Sequence, residues 1–219
     1  MRRLLGLLAC LGTVGCATTG IPVPAPEPVP TLNADNAPDW LREATVTLVR
    51  GHHRPFCTGA VTLKANLILT AAHCVPEEGR IHVRLHDGRV VHARIVAHDA
   101  ARDVAVLRTR HPLPIQPLPL APTAVTTHAE TALFLGMPRH QRPIQRTQVR
   151  LDGGCPRLPT LQMVLRSDYE GRPGDSGAPL LSARGVVGIV SGGKMCRVAI
   201  PIEHATPLLQ QAQAPPANT

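Results

Sequence analysis

Aromatic side chains are almost missing from this chain, with one Trp, one Tyr and two Phe among 219 residues. Proteins that hold single-stranded nucleic acid stack bases on such rings. The basic residues are also scattered along the sequence, so no nucleic-acid partner is expected. No apolar run reaches the length of a bilayer-spanning helix, and no fixed-period repeat marks a solenoid. Acidic residues are few, 15 against 23 Lys and Arg, for a formal net charge of +8. That excess favours anionic lipid headgroups or acidic substrates, but it reads mainly as a solubility property. Histidines at 52, 53, 82, 86, 92 and 98 have no acidic or cysteine partners at ligand spacing. Exposed strand residues are expected there, with no metal site and no cofactor.

What is present begins with an address. Met1-Arg2-Arg3 followed by an apolar stretch over residues 4–11 reads as an export signal, so the mature protein is expected outside the cytoplasm. Thr13-Val14-Gly15-Cys16 resembles a bacterial lipobox, although Thr13 stands where an aliphatic residue is usual. That resemblance implies removal of residues 1–15 and a lipid anchor on Cys16, in the periplasm or at the outer membrane. A plain secretory signal, with Cys16 a stray thiol, is the other reading. Loss of Arg2 and Arg3 leaves a mature charge of +6. Residues 16–40 carry Pro22, Pro24, Pro26, Pro28, Pro30 and Pro38 with little to bury, as an extended linker does. Residues 41–210 form the expected single domain, and 211–219 a flexible tail.

Short β-branched or alternating runs fill that domain. Strands are predicted over 45–49, 59–63, 67–69, 81–85, 90–96 and 104–107 in a first half. A second set is predicted over 132–135, 145–151, 161–166, 178–182, 185–191 and 198–202. The proline-dense stretch 112–122 connects the halves, since proline removes ladder donors. A short helix over 203–212 closes the chain. The fold class is all-β.

Three segments carry chemistry. Leu69-Thr70-Ala71-Ala72-His73-Cys74, Arg102-Asp103-Val104-Ala105-Val106-Leu107 and Gly174-Asp175-Ser176-Gly177 supply a histidine, an aspartate and a serine in that order. A serine hydroxyl is a poor nucleophile at neutral pH and needs a base within hydrogen-bond reach, and an imidazole titrates where such a base must. Singly, each segment is an ordinary turn or core motif; the conjunction and order carry the reading. The nucleophile elbow of α/β-hydrolases is not matched, because residue 178 is Ala and the histidine comes first.

Over roughly residues 44–205 these segments resemble the trypsin-like serine proteases of the chymotrypsin fold. The resemblance implies two six-stranded antiparallel β-barrels with the site in the cleft between them. It implies a monomeric endopeptidase in which His73 is general base and acid, Asp103 orients it, Ser176 attacks, and the amides of Gly174 and Ser176 bind the oxyanion. The partner is a polypeptide substrate, recognised along Ser191, Gly192 and Gly193, with Glu170 at the position that floors the primary pocket. Cys57 and Cys74 match the family's disulfide beside the histidine. Cys155 and Cys196 are left as a second pair, although the usual partner position is Arg172. No Ile-Val-Gly-Gly-like start precedes Thr45, so either Asp175 needs a partner other than a newly cut N-terminus or the loop is built differently. The rival reading is a catalytically inactive protease-like lipoprotein that binds peptides or a surface partner.

Overall fold

The computed structural model describes residues 35–51, 54–122, 127–137, 143–192 and 197–213. Twelve strands and two helices follow in the order α1 (Ala37–Ala44), β1 (Thr45–Arg50), β2 (Arg54–Val61), β3 (Leu67–Thr70), β4 (Arg80–Arg84), β5 (Val90–Asp99), β6 (Val104–Thr109), β7 (Glu130–Phe134), β8 (Gln145–Cys155), β9 (Leu158–Ser167), β10 (Pro179–Ser182), β11 (Gly185–Gly192), β12 (Val198–Pro201) and α2 (Ile202–Gln211). Every strand pairing is antiparallel, and the strands sort into two six-membered sheets without exchange between them. The first is a closed barrel in the order β1-β2-β3-β6-β5-β4. The second runs β10-β11-β12-β9-β8-β7, and β7 pairs with β10 as well as β8. All twelve strands overlap their predicted positions.

Burial follows side-chain chemistry strand by strand. In β4 the apolar Ile81 and Val83 point inward while Arg80 and His82 point out, the alternation of a half-covered strand. In β6 the run Val104 to Leu107 is buried throughout. The second face of β6 is covered by α2, which turns Ile202, Ala205 and Leu209 into the core.

Helix α1 has no counterpart in the sequence reading, which placed Ala37 to Trp40 at the end of the linker. The helix instead buries Trp40 and Leu41. The indole Nε1–H of Trp40 donates to the Gln116 carbonyl at 2.9 Å, tying the helix to the inter-sheet connection. That connection is itself fixed by parallel bridges of Leu118 to Thr62 and Leu120 to Val186, one on each sheet. Its prolines remove donors, but its leucines still lend backbone groups to both halves.

Candidate active site

Strand pairing brings the first two candidate residues together. β3 and β6 lie side by side with Thr70 opposite Ala105, so the chain leaving β3 and the chain entering β6 meet at one end of the barrel. His73 sits in a 3-10 turn over Ala72–Cys74 just past β3, and Asp103 stands one residue before β6. Asp103 has φ of 56°, a left-handed conformation that aspartate tolerates better than most residues. The turn delivers its carboxylate to His73. Nδ1 of the ring lies 2.9 Å from both Oδ1 and Oδ2, and the backbone N–H of His73 donates to Oδ1 at 2.9 Å.

The disulfide between Cys57 and Cys74 braces the same turn, closing a loop with a sequence separation of 17. Loops of that size contribute roughly 3 kcal/mol by restricting the unfolded chain. Its sulfurs lie close to His73, but as a disulfide they offer no thiolate to a metal. Cys155 is disulfide-bonded as well. Position 196 lies outside the described residues, as do Cys16 and Gly193.

A third donor to Asp103 comes from the other sheet. The Ser191 hydroxyl, on β11, donates to Oδ2 of Asp103. The main-chain carbonyl of the same residue accepts a hydrogen bond from Ser176 Oγ at 3.4 Å. Ser191 therefore touches both the acid and the candidate nucleophile. Sequence reasoning placed Ser191 on a substrate-facing edge and gave it no contact with Asp103. Burial alone would raise the Asp103 carboxyl, but the His73 ring, the Ser191 hydroxyl and the His73 amide outweigh it and hold it below its ordinary range. The His73 side chain is 48% exposed against 8% for Asp103, so one presents a ring to solvent while the other is shielded.

Ser176 lies on the loop between β9 and β10, and the first barrel holds that loop through Thr58 of β2. The Thr58 hydroxyl donates to the Gly174 carbonyl at 2.7 Å and accepts from the Met137 amide at 2.8 Å. Its own amide donates to the Ser176 carbonyl at 2.9 Å. Thr58 is fully buried, and the signal that would have found it is its place directly after Cys57. Two glycines make the close approach possible. A Cβ on Gly177 would lie 2.1 Å from the Thr58 carbonyl, one on Gly174 would meet the Met137 side chain at 2.4 Å, and both have positive φ. Among the described residues, neither the Gly174 nor the Ser176 amide donates to another group.

Asp175 does not face solvent. Its carboxyl is 1% exposed, accepts from the Tyr169 hydroxyl at 3.0 Å and from the Arg172 amide at 2.8 Å, and packs against Gly136. The only tyrosine of the chain thus supplies a partner to Asp175. Its ring lies against Phe134 with centroids 4.5 Å apart. Glu170, next in sequence, is exposed. A cavity of about 370 Å3 opens beside this arrangement, with His73, Asp103, Ser191 and Gly192 in its wall together with Cys155 and Leu158. Glu170 and Ser176 are not part of that wall.

A family model described as a trypsin-like peptidase domain matches residues 57–189. The chain belongs to the trypsin-like peptidase family. Among curated proteins, this trypsin-like peptidase is 32% identical over 166 residues to a probable periplasmic serine endoprotease DegP-like from Hahella chejuensis, covering 70% of this chain and 34% of that protein. It is 30% identical over 146 residues to the mitochondrial serine protease HTRA2 of Bos taurus, covering 60% of this chain and 30% of the relative. The chain thus spans about a third of the length of the curated relatives it matches. Of solved structures, the HtrA-type protease AlgW with tripeptide superposes with a TM-score of 0.66 at 23% identity, over 80% of this chain and 62% of that one. A serine endoprotease from Yersinia pestis gives 0.63 at 24% identity, over 84% and 67%. At those identities the likeness establishes the fold.

Two outcomes test the geometry. A carboxylate held below its ordinary value stabilises the fold above about pH 4, the value it has when unfolded, and loses that contribution as pH falls through the folded value. Urea unfolding across pH 3 to 7 should therefore show Asp103→Asn losing stability relative to wild type near neutrality, with the gap narrowing in acid. A constant gap would mean that the charge of Asp103 contributes nothing. Tyr169→Phe keeps the ring contact with Phe134 and deletes the bond to Asp175, so it should cost about 1–3 kcal/mol by the same measurement. An unchanged unfolding midpoint would remove Tyr169 as the partner of Asp175.

Proposed function

We propose that the chain is a serine endopeptidase working through an acyl-enzyme in the cleft between two barrels. The observation that carries this reading is the hydrogen-bonded row from the His73 ring through Asp103 to Ser191, whose carbonyl holds the Ser176 hydroxyl. With Nδ1–H given to Asp103, the other ring nitrogen is left as an acceptor. In this reading the Ser176 hydroxyl leaves the Ser191 carbonyl and bonds to that nitrogen when substrate fills the cleft.

In the reaction, Ser176 Oγ attacks the scissile carbonyl while its proton passes to His73. The tetrahedral oxyanion is received by the amides of Gly174 and Ser176. His73 then protonates the leaving amine, and an ester to Ser176 remains. Water, deprotonated by His73, hydrolyses that ester and restores the serine. Asp103 fixes the ring's tautomer and stabilises the imidazolium throughout. The edge at Ser191, Gly192 and Gly193 binds the peptide backbone by strand addition.

Cys155 and Cys196 form the second disulfide in this reading, and Cys155 lines the cavity that also holds His73. Residues 1–15 export the chain and Cys16 carries a lipid, placing the domain in the bacterial cell envelope on its proline-rich tether. The periplasmic designation of the DegP-like relatives supports the compartment.

A fluorophosphonate probe should label the wild-type chain and leave Ser176→Ala unlabelled. A folded wild-type chain that resists labelling would instead identify an inactive peptide-binding relative. Growth of an expressing bacterium with an alkyne fatty acid should give a labelled protein whose signal disappears in Cys16→Ala; an unlabelled wild type would remove the anchor.

A further inference from the structure

Basic residues that are scattered along the sequence are gathered by strand pairing onto the outer face of the first barrel. β4 and β5 place Arg80 opposite Arg94, and β5 and β6 place Arg94 opposite Arg108. Directly opposed residues project from the same face. Three arginines therefore stand side by side across three strands, their backbones spanning about 10 Å at the ordinary strand spacing. One register step away, His82 faces His92 with ring centroids 4.4 Å apart.

The row lies in a recess and not on an open plane. Arg110 and His111, following β6, and the end of α2 at Gln211 and Ala212 complete a cavity of about 1330 Å3. Arg108 builds the wall, since its guanidinium donates to the Ala212 carbonyl. Arg80, Arg94 and Arg110 have no carboxylate partner among the described residues, and Asp87 is taken up by Arg89 at the rim. Like charges placed directly opposite one another destabilise a sheet. An anion in the recess would relieve that repulsion.

The recess neighbours the candidate active site through shared wall residues. Ile95 and Val96 line both it and a smaller hollow that also holds Glu77, His98 and Ala100. Those last three residues in turn line the cavity that contains His73. A track over β5 joins the two.

We propose that the arginine recess is an exosite that binds an acidic segment of the polypeptide substrate; this rests on the endopeptidase reading above. The track selects a polypeptide over other anions, because one extended chain can lie in the cleft and reach the arginines. A membrane plane does not enter a concave recess, and the wall offers no Trp, Tyr or Phe ring on which a base would stack. Apolar residues between the basic ones, Val91 and Leu113 among them, suit the side chains of a peptide. Glu77, on the track itself, repels acidic side chains nearer the cleft.

The test uses the full chain carrying Ser176→Ala, so that binding is read without turnover. Fluorescence anisotropy compares a labelled peptide bearing a block of glutamates with the same peptide bearing glutamines. The acidic peptide should bind about tenfold tighter, the preference should disappear in Arg80→Gln/Arg94→Gln, and about 0.5 M salt should erase it. Because the substitutions remove like-charge repulsion, that variant should also melt at or above the parent's temperature, which separates lost binding from lost folding. Equal affinity for the two peptides, or a preference unaffected by the two substitutions, would overturn the exosite. So would arginine-dependent binding of polyphosphate or of phosphatidylglycerol vesicles by a chain that ignores the acidic peptide. Failure of the endopeptidase reading looks different: the wild-type chain resists the fluorophosphonate while acidic-peptide binding persists.

Discussion

A carboxylate removed from water must be surrounded by donors, and the donors around Asp103 come from both sheets. The ring and amide of His73 reach it from the turn after β3, and the hydroxyl of Ser191 reaches it from β11. Burying an unsatisfied charge costs several kcal/mol, so the two sheets cannot part without exposing or orphaning this group. The constraint acts at the point where the candidate nucleophile and its base must meet. Asp103 thus both bonds to the imidazole and ties the two sheets together at this point.

The loop bearing Ser176 is held by a different chemistry, built from main-chain groups and one threonine. Thr58 bonds to Gly174, Ser176 and Met137 within a single buried cluster, and its neighbour Cys57 is locked to Cys74 beside His73. One strand, β2, therefore positions both the serine loop and the histidine turn. Glycine at 177 lets the loop backbone sit against the Thr58 carbonyl, where any larger residue would clash. Behind the loop, Tyr169 and the Arg172 amide occupy the Asp175 carboxyl.

Much of this was readable from local signals. The alternating and β-branched runs located all twelve strands because their period matches a pleated sheet with one covered face. The segments around His73 and Asp103 supplied two residues that strand pairing then joined by hydrogen bonds, while Ser176 reaches Asp103 only through Ser191. What was not readable depended on contacts between distant positions. Ser191 and Asp103 lie on different sheets, and nothing in either neighbourhood announces the bond between them. Helix α1 was hidden by the prolines before it, although Pro38 at its first turn, Asp39 near its start and Arg42 near its end form a helix-boundary pattern. The arginine recess was missed for the opposite reason. Residues 80, 94 and 108 look dispersed until antiparallel register sets them side by side.

The central claim is that Asp103 holds the His73 ring with its proton on Nδ1 and thereby frees the other nitrogen for Ser176. Nitrogen-15 NMR of the histidines of the intact protein, recorded where the ring is neutral, reads this tautomer directly. The structure requires a protonated Nδ1 with its proton shifted downfield by the carboxylate, and loss of that signal in Asp103→Asn. A His73 ring protonated on Nε2 in the wild-type chain would contradict the account.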